Sequence, residues 1–335
     1  MPGLDGLEIE TLLAPVAHTR RLALAVSGGP DSLALMLLAA EWARTAGRPG
    51  LVVYTVDHGL REAAAGEVTM VVREATSLGL NVRPLRWVGE KPETGVQAAA
   101  RKARYGMMAA AMREDSAEYV LTAHHLGDQA ETVLMRLAHG SGIEGLRGMD
   151  RFAAVEGCRL FRPLLGVDPE LLAEVVETAG LTPARDPSNS DRHYERVRWR
   201  QMMPVLDELG LDLRRVGDFA TRMADADALI AAETERAFAT LVHLGPDGDA
   251  EMPHAGIVGL NRAVATRLLG RVLKIVGGDR KPHALGALET LQGKLAGRVE
   301  LKPTTLHGCV VQSDGMTICV RPEVARRAPT LLTAG

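Results

Sequence analysis

Cysteine is nearly absent from this 335-residue chain: Cys158, Cys309 and Cys319 are all there is, and no two form a Cys-x-x-Cys pair. That spacing excludes a zinc ribbon, an iron–sulfur cluster motif and a dithiol redox site, and it leads us to expect a reduced, cytoplasmic setting. Long apolar runs are also missing. No segment approaches the roughly 18 residues of a membrane span, so no membrane partner is expected. Residues 1–10 are acidic, without a basic leader and apolar core, so no signal peptide is expected. Charge of one sign is lacking too. Thirty-nine Lys and Arg stand against 42 Asp and Glu, a formal net charge of −3, so there is no global basic signature for nucleic acid, although a local basic face remains compatible. Aromatic residues make up only 3%.

The length is enough for two domains with a sizeable core. In the first part, apolar or β-branched runs at 21–26, 51–56, 81–87 and 118–123 alternate with helix-like stretches at 32–46, 63–78 and 95–113. Strands without polar alternation are buried on both faces. The alternation predicts an α/β fold with a parallel sheet and helices on both sides. Right-handed crossovers then bring the loops starting at Ser27, Asp57 and His124 to one edge. Residues 218–244 read as one or two connecting helices, with Phe219, Met223, Leu229, Ile230, Phe238 and Leu241 as one stripe. Beyond them come helices at 261–276 and 282–296, then strands at 305–312 and 316–321 joined by a turn at 313–315, which reads as a small α+β domain. The expected division is residues 1–215, a helical linker at 216–245, and residues 246–335.

Polar residues concentrate in the expected edge loops. After the first strand comes Ser27-Gly28-Gly29-Pro30-Asp31-Ser32. Gly28 and Gly29 permit a tight turn whose N–H groups approach an anion. Ser32 stands near a helix start, where the dipole favours phosphate, and Asp31 is a candidate for a Mg²⁺ bridging phosphates. A structural turn with a Ser/Asp cap is the alternative. No Gly-Lys-Ser or Gly-Lys-Thr follows, which excludes the common P-loop. The hexad instead resembles the loop of enzymes that split ATP into AMP and pyrophosphate. After the second strand, Asp57-His58-Gly59-Leu60-Arg61 offers His58 to a nucleotide and Arg61 to a charge, or is simply a polar turn. Arg101 and Arg104 share a helix face, suited to phosphates or developing negative charge, unless that face is merely solvated. After the fourth strand, His124, Asp128 and Glu131 form the densest polar cluster. Asp128 and Glu131 on one helical face suit a metal, a cationic substrate or a base. A His-rich zinc site and dipole-pairing acids are the alternatives.

The ordered series Ser27–Ser32, 57–61, 100–105, 122–132, 136–148, Arg162-Pro163-Leu164-Leu165 and 186–200 followed by Pro204 resembles the tRNA(Ile)-lysidine synthase family, in its compact form. The match runs from 21 to about 205, with a weaker likeness in the final hairpin. Two departures stand out: Gly127 where the family usually has Asp, and Thr55 where a His is common. The resemblance implies a PP-loop ATP-pyrophosphatase domain, a tRNA-binding C-terminal domain, and use of ATP and Mg²⁺. It also implies ligation of L-lysine to the wobble cytidine of tRNA(Ile) with anticodon CAU through an O2-adenylated base. By resemblance, Ser27, Gly28, Gly29, Pro30, Asp31, Ser32, His58 and Arg101 would hold ATP. Asp31, Arg104, His124, Asp128 and Glu131 would be catalytic, with Asp128 and Glu131 receiving lysine. Arg192, Arg196, Arg198 and Arg200 would face tRNA. The rivals are a tRNA thiolase, which the cysteine spacing disfavours; an amidotransferase, for which no glutaminase domain is attached; and a non-catalytic nucleotide- or tRNA-binding module. A homo-oligomer stays open.

Overall fold

The computed structural model describes residues 8–57, 59, 63–88, 92, 94–184, 191–278, 285–298 and 300–323. By internal contacts the chain divides into two units, Met1–His139 with Gly145–Thr221, and Gly140–Glu144 with Arg222–Gly335.

The first unit begins with a short helix, α1 (Ile9–Leu13). Then follow β1 (Arg21–Ala25), α2 (Pro30–Ala43), β2 (Gly50–Asp57), α3 (Ala63–Ser77), β3 (Asn81–Arg86), α4 (Val96–Asp115), β4 (Tyr119–Leu121) and α5 (Leu126–Ala138). After a one-turn helix α6 (Ile143–Leu146) come β5 (Phe152–Val155), β6 (Cys158–Phe161), α7 (Pro169–Thr178) and α8 (Glu195–Glu208). The sheet order is β3-β2-β1-β4-β6-β5, parallel except for the antiparallel edge strand β5. The fold class is thus the expected one, and the four read strands are present within two residues at each end. The hairpin β5–β6 was not foreseen. Its strands are four residues each, and the burial of β5 alternates, so it gives no long apolar run.

The core follows from the sequence of β1. Leu22 and Leu24 are fully buried on the face covered by Leu33, Met36 and Leu37 of α2, with Leu172 and Val176 of α7 beyond. Ala23 faces the other layer, where Tyr105, Met108 and Met112 of α4 pack. The small side chain of Ala23 lets that layer approach. Burial on both faces is what distinguishes a central parallel strand.

A single helix, α9 (Leu213–Leu241), covers most of the run expected as one or two helices. The second unit continues with β7 (His243–Leu244), β8 (Ala250–Pro253), α10 (His254–Val258), α11 (Arg262–Gly277), α12 (Leu285–Ala296), β9 (Leu301–Leu306), β10 (Cys309–Ser313) and β11 (Thr317–Pro322). These strands form an antiparallel sheet in the order β7-β8-β11-β10-β9. Val311, Ile318 and Val320 bury their side chains in one cluster with Leu268, Val272 and Leu273 of α11. Where one strand was expected over 305–312, the chain instead turns at His307 and Gly308, with φ of 54° and 66°. Two successive left-handed residues are the signature of a tight two-residue hairpin, so the single expected strand is two.

Candidate active site

In the sheet order β2-β1-β4, the chain leaves β1 toward one side and later returns to its other side. The crevice at such a reversal, beyond the carboxyl ends of the strands, is where open α/β sheets bind ligands. The loops after β1 and β4 meet there.

After β1, Gly28 has φ +88°, a left-handed conformation that favours glycine, and the atom a Cβ would approach there is the movable Met70 methyl. Gly29 precedes α2 and Pro30 fills its first turn, where a missing N–H costs nothing. Ser32 Oγ accepts the Ser27 N–H at 3.2 Å and donates to the Gly29 carbonyl at 2.9 Å, folding the loop over the helix N-terminus. Asp31, in the first turn, keeps a side chain 39% exposed.

After β4, Thr122 continues the ladder by donating its N–H to Phe161. Its hydroxyl lies 2.9 Å from His124 Nδ1. Burial, countered by Asp128 and reinforced by Arg162, Arg196 and Arg104, brings the His124 imidazole down to about 4, so it is neutral at pH 7. His125 then caps α5. Its Nδ1 accepts the Gly127 N–H at 3.0 Å, and its own N–H donates to Asp128 Oδ2 at 3.1 Å. Because Nδ1 is an acceptor, Nε2 carries the ring hydrogen, and it lies 3.6 Å from both Asp31 Oδ2 and Asp128 Oδ2. The ring therefore bridges the two loops. Burial disfavours a charge on it, but Asp31 and Asp128 outweigh burial and raise its affinity for a proton. A second proton would go to Nδ1 and displace the Gly127 bond, so cap and carboxylates pull in opposite senses.

Asp128 is held below the usual carboxyl range: burial opposes its charge, but His125, Arg196 and His124 overcome burial. Glu131, 2% exposed, faces two guanidiniums of α8: Arg200 Nε at 2.6 Å and Arg196 Nε at 3.2 Å. Burial lifts the Glu131 carboxyl and Arg200 opposes it, while Arg200 is itself raised by the pair despite burial. Both shifts are upward, which disfavours the charge on Glu131 and favours that on Arg200; the 2.6 Å contact is that of an ionised pair. Each arginine also reaches Asp128 Oδ1 at 3.9 Å.

A second cationic group lies on the β6 side. Arg101 and Arg104 each place a guanidinium 5.0 Å from the centroid of the buried Tyr105 ring. Arg162, directly after β6, is 5% exposed and donates to the Asp150 carbonyl at 2.6 Å.

Of the residues singled out in the sequence, Asp31, Asp128, Glu131, Arg196 and Arg200 fall into one network, with His124 beside it. Arg192 and Arg198 are exposed at the start of α8, where Arg198 donates to the carbonyls of Arg192 and His193. His58, Arg61 and residues 186–189 lie outside the described residues. His125 and Arg162 lie in motifs quoted from the sequence, but sequence reasoning gave neither a role. For His125 the signal was there: a polar residue with an acid three positions on is the capping-box spacing. The absent carboxylate at Gly127 also has a local cause. A Cβ there would meet the His125 ring at 2.9 Å, so glycine makes room for the capping imidazole.

The family model for the PP-loop domain matches residues 6–206. The chain is 43% identical to a tRNA(Ile)-lysidine synthase of Rhodopseudomonas palustris, with 97% of this chain and 96% of that protein aligned. It is 41% identical to the Bradyrhizobium sp. protein of the same name, with the same coverage, and 38% identical to the one from Ruegeria pomeroyi over 89% of this chain and 70% of that protein. Among solved structures, the U34-tRNA thiolase NcsA from Methanococcus maripaludis, with its [4Fe-4S] cluster, superposes with a TM-score of 0.56 over 65% of this chain and 77% of its own. At 15% identity that likeness concerns the fold alone.

Proposed function

The chain belongs to the tRNA(Ile)-lysidine synthase family of PP-loop proteins, and we propose that it joins free L-lysine to C2 of the wobble cytidine of a tRNA(Ile) with anticodon CAU, converting ATP to AMP and pyrophosphate. The observation that carries this reading is the bridge made by His125 between Asp31, on the phosphate loop, and Asp128, on the first turn of α5. It sets a site for an amine directly beside a site for phosphates.

In the first step the cytidine O2 attacks the α-phosphorus and pyrophosphate leaves. Charge gathers on phosphate oxygens, where the Ser27–Ser32 N–H groups, the α2 N-terminus and Arg104 supply stabilisation. Arg101 and His58 are assigned to the nucleotide. Asp31 suits Mg²⁺, which uses one or two carboxylates plus substrate phosphates, and its carboxylate is partly exposed beside the loop. Bound there, the ion would neutralise phosphate charge. In the second step the ε-amine of lysine attacks C2 and AMP departs. Lysine arrives as an ammonium ion, and its ordinary pKa of about 10.4 leaves little free amine at pH 7. Asp128, held ionised, receives that cation. Glu131, already engaged by two guanidiniums, sets Arg196 and Arg200 beside Asp128. Asp128 and His124 hold a proton poorly, and the proton shed by the amine is assigned to the departing phosphate, whose second pKa is about 6.

The base leaves its stack to reach the crevice, at small cost from a single-stranded anticodon loop. The exposed Arg192 and Arg198, and the second unit, are assigned to the tRNA. Cys158, the one cysteine of the first unit, is buried, and burial pushes its thiol up to about 11, which does not suit a sulfur carrier.

The test is Asp128→Asn with the half-reactions assayed separately. We expect lysine KM to rise by about tenfold or more, the size of a lost charged contact, beyond any change in tRNA-dependent pyrophosphate release. Normal lysine incorporation would remove Asp128 from the lysine site.

A further inference from the structure

The glycine-rich segment after α5 takes no part in the chemistry above, yet side chains of α5 are committed to it. The segment contributes Gly140–Glu144 to the second unit and re-enters the first at Gly145. After the one-turn helix α6, residues 147–151 belong to no helix or strand. Two residues of α5, seven apart and so on one face, grip this returning chain. Gln129, 8% exposed, uses both ends of its amide: Oε1 accepts the Met149 N–H at 2.7 Å, and Nε2 donates to the Met149 carbonyl at 3.1 Å. Arg136 Nη1 donates to the carbonyls of Gly145 and Gly148 at 2.8 and 2.6 Å. Gly148 is buried with φ of 73°, and a Cβ there would lie 2.6 Å from Gln129 Oε1. That oxygen is held by the Met149 N–H, so moving aside strains the bond. Backbone groups without a ladder need side-chain partners once they are withdrawn from water, and here α5 supplies them.

The grip has two neighbours in the crevice. Gln129 directly follows Asp128 at the start of α5. One residue past Met149, the Asp150 carbonyl accepts Arg162 Nη1 at 2.6 Å, and the Arg151 carbonyl accepts the Arg162 N–H at 2.8 Å. Arg162 is 5% exposed, and of the arginines that bear on His124 it bears most. Its side-chain hydrogen bond goes to Asp150, so the placing of Asp150 aims the guanidinium. Held by Gln129, the returning chain thus ties one end of the crevice to the other.

Resting on the lysine ligation argued above, we propose that Gln129 is a positioning residue for the lysine step. It touches no substrate itself. It acts through Met149, and keeps Asp128 at the start of α5 and the Asp150 anchor of Arg162 at a fixed separation. A functional group holds its geometry only when the shell behind it is locked by packing and hydrogen bonds, and this amide is the lock on the side of α5 away from Arg196 and Arg200.

The experiment measures lysine KM in lysidine formation and, separately, tRNA-dependent pyrophosphate release without lysine. The full-length enzyme is used with ATP, Mg²⁺ and unmodified tRNA(Ile). Gln129→Leu keeps a good helix former but none of the hydrogen bonds. It should raise lysine KM by about tenfold, the scale of a small misplacement passed on from a distance, and leave pyrophosphate release within about threefold of the wild type. Gly148→Ala breaks the same grip from the loop side and should raise KM likewise. The double variant should exceed neither, because both act through one contact. Loss of folded protein lowers turnover but leaves KM in place. Reduced turnover at a wild-type lysine KM would therefore overturn the proposal and leave Gln129 a stabilising contact, and full additivity in the double variant would overturn it too. Should Gln129→Leu fail to fold by circular dichroism, Gly148→Ala decides alone: a lysine KM raised severalfold supports the proposal, and an unchanged KM overturns it. A wild type that releases no pyrophosphate with tRNA and ATP would instead defeat the underlying ligation reading, and the proposal with it.

Discussion

His125 acts through its two nitrogens separately, which makes it separable by mutation. Asn at this position retains a good helix-capping acceptor but deletes the Nε2 that lies between Asp31 and Asp128. His125→Asn should shift stability by no more than about 1 kcal/mol in a denaturant titration, while tRNA-dependent pyrophosphate release falls about tenfold or more. Unchanged turnover would mean that the ring serves only as a cap. Its neighbour His124 carries a pH signature. Its folded pKa of about 4 lies below the 6.5 of a free imidazole, so the unfolded chain binds the extra proton between those values. The stability it contributes is therefore full above pH 6.5 and is lost as pH falls toward 4, by roughly 3 kcal/mol at most. His124→Gln should flatten that part of the stability–pH curve. A wild-type slope in the variant would place the acid sensitivity elsewhere.

At the scale of the element, α5 and α8 act as a pair. In the proposed mechanism α5 works through its first turn, which Asp128 shares with the His125 cap. Gly127→Ala gains about 1 kcal/mol in helix propensity but drives a methyl into the capping ring, which costs about the same. Near-neutral stability with clearly reduced lysidine formation is the expected outcome; full activity would show that the ring can move without consequence. On α8 the arginines divide by register. Arg196 and Arg200 reach Glu131 with side chains still 40% and 50% exposed, while Arg198 donates instead to the carbonyls of Arg192, just ahead of the helix, and His193. Neutralising Arg192 and Arg198 together should lower the slope of log tRNA affinity against log salt by about 1.4, near 0.7 per single-stranded phosphate contact. An unchanged slope would take this end of α8 off the tRNA.

At the scale of the molecule, the α/β order was legible because β1 and β2 are buried on both faces and read as continuous apolar runs. The phosphate loop was legible because Gly28 and Gly29 stand where a strand gives way to a helix. What escaped reading depends on contacts between distant segments. The hairpin β5–β6 is too short and too alternating to announce itself, yet it completes the sheet and delivers Arg162. Four basic residues near 200 look alike in sequence, and only the packing of α8 on α5 shows that Arg196 and Arg200 are the ones that meet Glu131. The turn at His307 and Gly308 had a signal in Gly308, but the β-branched and apolar residues on both sides of it read as one strand until the two positive φ angles separate them.

The central claim is that one crevice, between β1 and β4, couples ATP cleavage to amine transfer onto a tRNA base. The most direct measurement incubates the protein with labelled lysine, ATP, Mg²⁺ and unmodified tRNA(Ile) bearing CAU, with methionine tRNA as control. The account expects label in the isoleucine tRNA alone, with one AMP and one pyrophosphate formed per lysine joined. ATP cleavage without label in tRNA, or equal labelling of the methionine tRNA, would contradict it.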